Sequence, residues 1–221
     1  MGTNNFKGKK FIASYSGGKD STLAIFRAIN MGMIPVELIT TYNTDEKYSW
    51  FHKIPENLLN RVSEEMQIPV SLIETTGEKY EENFEAHLKK ARELGAEVCV
   101  FGDIDLEEHL EWCTNRCKAA GLEALFPLWK EERKKLVYEF IDAGFKTIII
   151  TVDTDRMPEK FVGKILTREI ADEIEKSGAD ICGENGEYHT FAFDGPLFKS
   201  SVQFSTGENI HNKNYSMLLI H

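Results

Sequence analysis

The segment Ser16-Gly17-Gly18-Lys19-Asp20-Ser21 constrains this chain more than any other, because it joins two elements that the residue pattern defines well. Before it, Phe11 to Tyr15 reads as a short apolar strand. After it, Asp20 to Met31 carries apolar residues at helical spacing. Strand, glycine turn and helix, in that order, build a place for an anion. Gly17 and Gly18 let the backbone turn sharply and bring N–H groups close, and the helix start adds unpaired donors and the positive end of its dipole. Ser16 and Ser21 offer hydroxyls, Lys19 a point charge, and Asp20 either caps the helix or holds a magnesium ion carried by the phosphates. The segment is neither the G-x-x-x-x-G-K-[ST] loop nor the G-x-G-x-x-G fingerprint. The bland alternative is a glycine turn with an aspartate cap. As a phosphate site, the loop is expected at the surface.

Around this segment, short β-rich runs alternate with longer helical stretches, the pattern of a parallel sheet covered by helices. The expected strands are Phe11 to Tyr15, Glu37 to Tyr42, Val70 to Glu74, Glu97 to Gly102 and Thr147 to Val152. The expected helices run from Asp20 to Met31, Pro55 to Met66, Tyr80 to Leu94, Leu106 to Ala120 and Glu131 to Ala143. Each stops at a glycine or proline: Gly32, Pro69, Gly95, Gly121 and Gly144. Leu23, Ala24, Ile25, Phe26, Ala28 and Ile29 nearly encircle the first helix, which should be buried. Phe126-Pro127-Leu128-Trp129 interrupts the alternation and divides the chain into a larger lobe, residues 1–128, and a smaller α+β lobe, residues 129–221. In that second part a helix is expected from Gly163 to Ser177, then short β runs at Thr190 to Phe193 and Ser201 to Phe204. The fold class is α/β.

The chain has 26 Lys and Arg against 36 Asp and Glu, a net charge of −10. That balance disfavours broad nucleic-acid binding, which needs a basic face. Apolar runs such as Thr147 to Val152 are far shorter than the ~20 residues that span a bilayer. The polar start from Met1 to Lys10 is not a signal-peptide core, so a cytoplasmic address and no membrane contact are expected. Four cysteines without a C-x-x-C pair read as reduced thiols. Cys113 and Cys117 lie one turn apart but lack further ligands to complete a metal site.

A second signal lies late in the chain, at Gly183-Glu184-Asn185-Gly186-Glu187-Tyr188-His189-Thr190. Two carboxylates three apart, followed by an imidazole, can hold a cation, orient an amine or move a proton. Asn-Gly is also the commonest hairpin turn, and the flanking charges then need no function.

The early loop resembles the pyrophosphate loop of the ATP pyrophosphatases. Taken with Glu184, Gly186, Glu187, Tyr188 and Thr190, which fit an E-x-G-E-aromatic-x-T pattern, the chain resembles the diphthine-ammonia ligase family of those enzymes. Ser49-Trp50-Phe51-His52, Gly102-Asp103-Ile104, His109, Trp112, Pro127-Leu128-Trp129 and Asp194-Gly195-Pro196 extend the resemblance. The resemblance implies a HUP or Rossmann-like lobe, ATP and Mg²⁺ as cofactors, and an AMP-forming ligase. Such an enzyme adenylates a carboxylate for attack by ammonia, the carboxylate being a small acid or a modified protein histidine. It implies Ser16, Gly17, Gly18, Lys19, Asp20, Ser21, His52 and Asp103 at ATP, and Asp20 at the metal. Lys19, Asp20, Glu184, Glu187 and His189 would carry the chemistry. Asn185, His189 and Asp103 depart from the diphthamide-making pattern and resemble a bacterial branch whose substrate is open. The rival readings are a tRNA-modifying ATP pyrophosphatase and a nucleotide-sensing module without chemistry. Homo-oligomer formation stays open.

Overall fold

The computed structural model describes residues 5–75 and 77–221, so the expectation for the polar start falls partly on residues 1–4, outside the described residues. Mixed α/β architecture is realised as two compact units. One comprises the chain up to Ser16, Asp20–Trp50 and Ile68–Lys130; the other comprises Gly17–Lys19, Phe51–Gln67 and Glu131–His221.

The first unit holds strands β1 (Lys10–Ser14), β2 (Ile34–Asn43), β3 (Tyr48–Ser49), β4 (Val70–Thr75), β5 (Val98–Val100) and β6 (Glu123–Leu125). They lie in the order β3-β2-β1-β5-β6, with β4 also paired to β2. All pairings are parallel except the two-residue β3, which turns back antiparallel on Tyr42 and Asn43. Parallel neighbours require crossovers; α1 (Lys19–Asn30) leads from β1 to β2, α3 (Tyr80–Glu93) from β4 to β5 and α4 (Glu107–Ala120) from β5 to β6. Ile12, Ile39, Ile73, Phe84, Leu88, Cys99, Phe101 and Cys117 form one continuous core. Such near-unbroken apolar strands are what burial on both faces demands. Leu23, Ala24, Ile25 and Ala28 of α1 are buried, while Phe26 and Ile29 are only half-buried.

The second unit holds α2 (Glu56–Met66), α5 (Arg133–Asp142), β7 (Lys146–Asp153), α6 (Arg168–Lys176), β8 (Tyr188–Asp194), β9 (Thr206–Asn212) and β10 (Tyr215–Ile220). Its sheet runs β8-β7-β10-β9 and is antiparallel throughout. The strand expected at Thr147 to Val152 is therefore present as β7 but belongs to this sheet, not to the parallel one. Three further expectations change. Helix α6 starts five residues later than Gly163, because Gly163 N–H and Leu166 N–H bond back to Ile149 and Thr147 and the Thr167 hydroxyl caps the helix at Ile170 N–H. Ser201 to Phe204 is irregular. The strands that follow it, β9 and β10, were not expected.

The side of β8 away from β7 is occupied. Ala192 N–H donates to Gly17 O at 2.8 Å, and Lys19 N–H donates to the Thr190 hydroxyl at 3.1 Å. Residues from the loop after β1 thus cover the last strand of the antiparallel sheet. Among the described residues there is no disulfide, and no helix is long and apolar enough to cross a membrane.

Candidate functional site

In open parallel sheets, ligands gather beyond the carboxyl ends of the strands. In the first unit, adjacent strands β1 and β5 end there in Ser16 and in Gly102-Asp103. The Ser16 and Ser21 hydroxyls lie 3.1 Å apart across the loop. Asp20, half-buried, occupies the first turn of α1. A side chain at Gly102 would bring its Cβ to 2.7 Å from Ser21 N and 2.9 Å from Asp20 C, so glycine is what lets this strand end approach the helix start. Asp103 Oδ1 faces His109 Nδ1 at 3.1 Å. Trp112 instead packs on Tyr80 and Phe84.

The middle of the loop does not lie at the surface as expected. Gly17, Gly18 and Lys19 are buried, Lys19 to 4% exposure. Gly17 has φ +84°, and a Cβ there would sit 2.1 Å from Ile54 Cδ1; one on Gly18 would sit 2.3 Å from His52 Cε1. Gly17 is therefore set by its backbone angle and Gly18 by the His52 ring, independently of any anion. The Lys19 ammonium donates to Cys182 O and stands 5.0 Å from the centre of the Tyr188 ring.

His52 Nδ1 lies 2.7 Å from Thr190 O. A carbonyl only accepts, so Nδ1 carries the proton, and in the neutral ring Nε2 is left as an acceptor. Burial pushes the His52 pKa down from 6.5 to about 4, opposed by the bond to Thr190 and reinforced by the Lys19 charge. The His189 ring centre is 4.7 Å from that of His52. Across the sheet His189 pairs with Thr151, whose buried hydroxyl has no partner among the described residues.

The lowered pKa makes a prediction. Between pH 6.5 and 4 the unfolded chain protonates His52 while the folded chain resists, so stability falls as pH falls through that window. From pH 7 to pH 5 the wild type should lose about 1–2 kcal/mol more than His52→Gln in urea titrations. Equal losses would remove the argument.

The late segment is a knot of backbone bonds. Asp180 accepts from Cys182 N–H at 3.1 Å, from Glu184 N–H at 2.9 Å and from Arg133 at 2.7 Å. Tyr188 OH donates to Ile181 O at 2.6 Å, and a Cβ at Gly183 would meet the Tyr188 ring at 2.8 Å. Glu187 is 7% exposed, and both its oxygens accept from Asn185, at 3.1 Å each. Glu184 is half-buried. Sequence reasoning missed Asp180 and Arg133. The signal for Asp180 was present, since an aspartate accepting from the N–H two residues on is the usual Asx turn.

The structure thus brings Lys19 and His52 against His189 and Thr190 within the second unit, the latter two on the strand that follows Glu184 and Glu187. Ser16, Asp20, Ser21 and Asp103 belong to the first. Among the described residues no group of three or more His, Cys, Asp or Glu is arranged to hold a metal ion.

The family model described as the diphthamide synthase N-terminal domain matches residues 9–124, and that of the diphthamide synthase C-terminal domain matches residues 132–221. A diphthine–ammonia ligase of Rattus norvegicus is 30% identical over 91% of this chain and 85% of its own. One from Danio rerio is 26% identical over 91% and 88%. A solved structure titled as a predicted subunit of tRNA methyltransferase from Methanocaldococcus jannaschii aligns with TM-score 0.47 at 15% identity, over 85% of this chain and 98% of that one.

Proposed function

The chain belongs to the diphthamide synthase family, and from that premise we propose that it is an ATP-dependent ligase that joins ammonia to a carboxylate with release of AMP and pyrophosphate. The observation that carries this reading is the start of α1, where two hydroxyls 3.1 Å apart meet the first turn of a helix. Backbone N–H groups and hydroxyls in that arrangement suit phosphate oxygens.

A carboxylate is a poor electrophile. In the first step its oxygen attacks the α-phosphorus of ATP, the bond to the β-phosphate oxygen breaks, and pyrophosphate departs. In the second the ammonia nitrogen attacks the acyl carbon, loses a proton, and AMP leaves with the electron pair of the acyl–oxygen bond. Ser16, Ser21 and the backbone of the loop hold the phosphates in line. Asp103, beyond the end of the neighbouring strand in the same unit, completes the nucleotide's surroundings. Asp20 is the carboxylate suited to Mg²⁺. A single carboxylate fits a cation that arrives on phosphates better than a resident protein cage, and such an ion would offset charge on the departing pyrophosphate. Glu184 and Glu187 orient the amine, and His189 receives its proton. The names of the relatives suggest diphthine as the carboxylate.

The test is direct. With ATP labelled at the α-phosphate, Mg²⁺, ammonium and a diphthine-bearing protein, label is expected in AMP, with one pyrophosphate per amide. Release of ADP and phosphate would overturn the mechanism. Tight, salt-sensitive binding of bulk tRNA would favour a tRNA-modifying enzyme instead.

A further inference from the structure

The loop lysine presents a puzzle. A cation next to two glycines at a helix start is the obvious phosphate ligand, yet Lys19 is 4% exposed and its ammonium donates to the carbonyl of Cys182. Its charge also stands 5.0 Å from the Tyr188 ring centre, while its backbone N–H donates to the Thr190 hydroxyl at 3.1 Å. These three partners are not scattered. Cys182 immediately precedes the segment that carries Glu184 and Glu187, and Tyr188 and Thr190 follow it.

We propose that Lys19 is a positioning residue for the late carboxylate segment, gripping it at both ends, and not a ligand of the ATP phosphates. The inference rests on the ligase reading given above. Taking an ammonium out of water is costly unless strong acceptors replace the water, and a carbonyl oxygen together with an aromatic face supplies that replacement. Swinging Lys19 to a phosphate would take from Cys182 O its charged donor and from the Tyr188 ring its cation, loosening the segment where it meets the loop. The bonds from Cys182 N–H and Glu184 N–H to the Asp180 carboxylate, and from Gly186 N–H to Gly183 O, shape the segment. Lys19 ties that shape to the loop between β1 and α1. The two parts of the sequence that signal function therefore meet at Lys19.

Lys19→Met tests this, with three readouts. Binding of α,β-methylene-ATP with Mg²⁺ should stay within about threefold of wild type, amide exchange at residues 183–188 should accelerate about tenfold or more, and kcat for amide formation should fall about thirtyfold. Lys19→Arg should recover most of the kcat, since a guanidinium can still reach the carbonyl. A phosphate ligand predicts the reverse: analogue binding weakened thirtyfold or more with exchange at 183–188 unchanged, which would sink the proposal. Should Lys19→Met fail to fold, Thr190→Val removes only the acceptor of the Lys19 N–H. It should raise exchange in the same residues and lower kcat a few-fold with analogue binding kept; no change in exchange counts against the proposal. If wild type does not bind the analogue at all, the ligase reading fails, while the exchange measurement still reports on Lys19.

Discussion

Replacing His189 by alanine is expected to slow amide formation by about a hundredfold to ten-thousandfold, the usual worth of a positioned base, while ATP–pyrophosphate exchange changes by less than about threefold. The difference follows from the proposed chemistry. Adenylation consumes a carboxylate that is already ionised and needs no base. Attack by the amine does need one, because only unprotonated ammonia is nucleophilic and free ammonium dominates at neutral pH. His189 is half-buried, its ring 4.7 Å from that of His52, with Thr151 as its cross-strand neighbour. His52 cannot substitute, since burial holds its pKa near 4 and it stays an acceptor of hydrogen bonds without becoming a base at neutral pH. Partial rescue of His189→Ala by added imidazole would strengthen the assignment. An equal loss in both steps would mean that His189 shapes the fold or the nucleotide site, and its proton-transfer role would be dropped.

Gly102→Ala should be nearly as damaging by a purely steric route. The added Cβ would stand 2.7 Å from Ser21 N and 2.9 Å from Asp20 C and Ser21 Cα, all backbone atoms that cannot rotate aside. Either the end of β5 or the start of α1 must move by roughly half an ångström or more. Overpacking of this kind costs about 1–3 kcal/mol, a drop of about 3–10 °C in Tm for a chain of this length. The larger effect falls on turnover. A displacement approaching 1 Å at the phosphate donors is worth about a hundredfold in kcat/KM. Tm and kcat/KM measured together decide the matter: unchanged turnover in a destabilised protein would show that the helix start is not where the phosphates sit.

These two residues also show what the sequence could and could not convey. The strand, glycine loop and helix were legible because an apolar run, two adjacent glycines and a helical period leave little choice locally; β1 and α1 fall within a residue of expectation. The direction of β7 was not legible. An apolar run buried on both faces looks alike in parallel and antiparallel sheets, and only the strands that flank it decide. Strand β9 gave no signal at all, because its residues are exposed throughout and the alternation that marks a half-buried strand is missing. At the site, the residue types were readable but their surroundings were not. Lys19 is charged and beside glycines, which argues for solvent, and only long-range contacts with Cys182, Tyr188 and Thr190 bury it. His52 is likewise set by a carbonyl 138 positions away.

The covering of β8 by Gly17–Lys19 bears on how this protein can be handled. An uncovered outer strand is a template for pairing with other chains, and proteins manage that hazard by shielding, shortening or charging it. Here the shield comes from residues that lie well over a hundred positions earlier in the chain. A fragment cut at residue 131 to isolate the C-terminal portion would keep every strand of the antiparallel sheet, yet bare Ala192 N–H and the carbonyl of Thr190 along one margin. Such a fragment would carry a sticky flank that the intact chain covers, and it would lack α2 as well, so clumping on expression is the expected result.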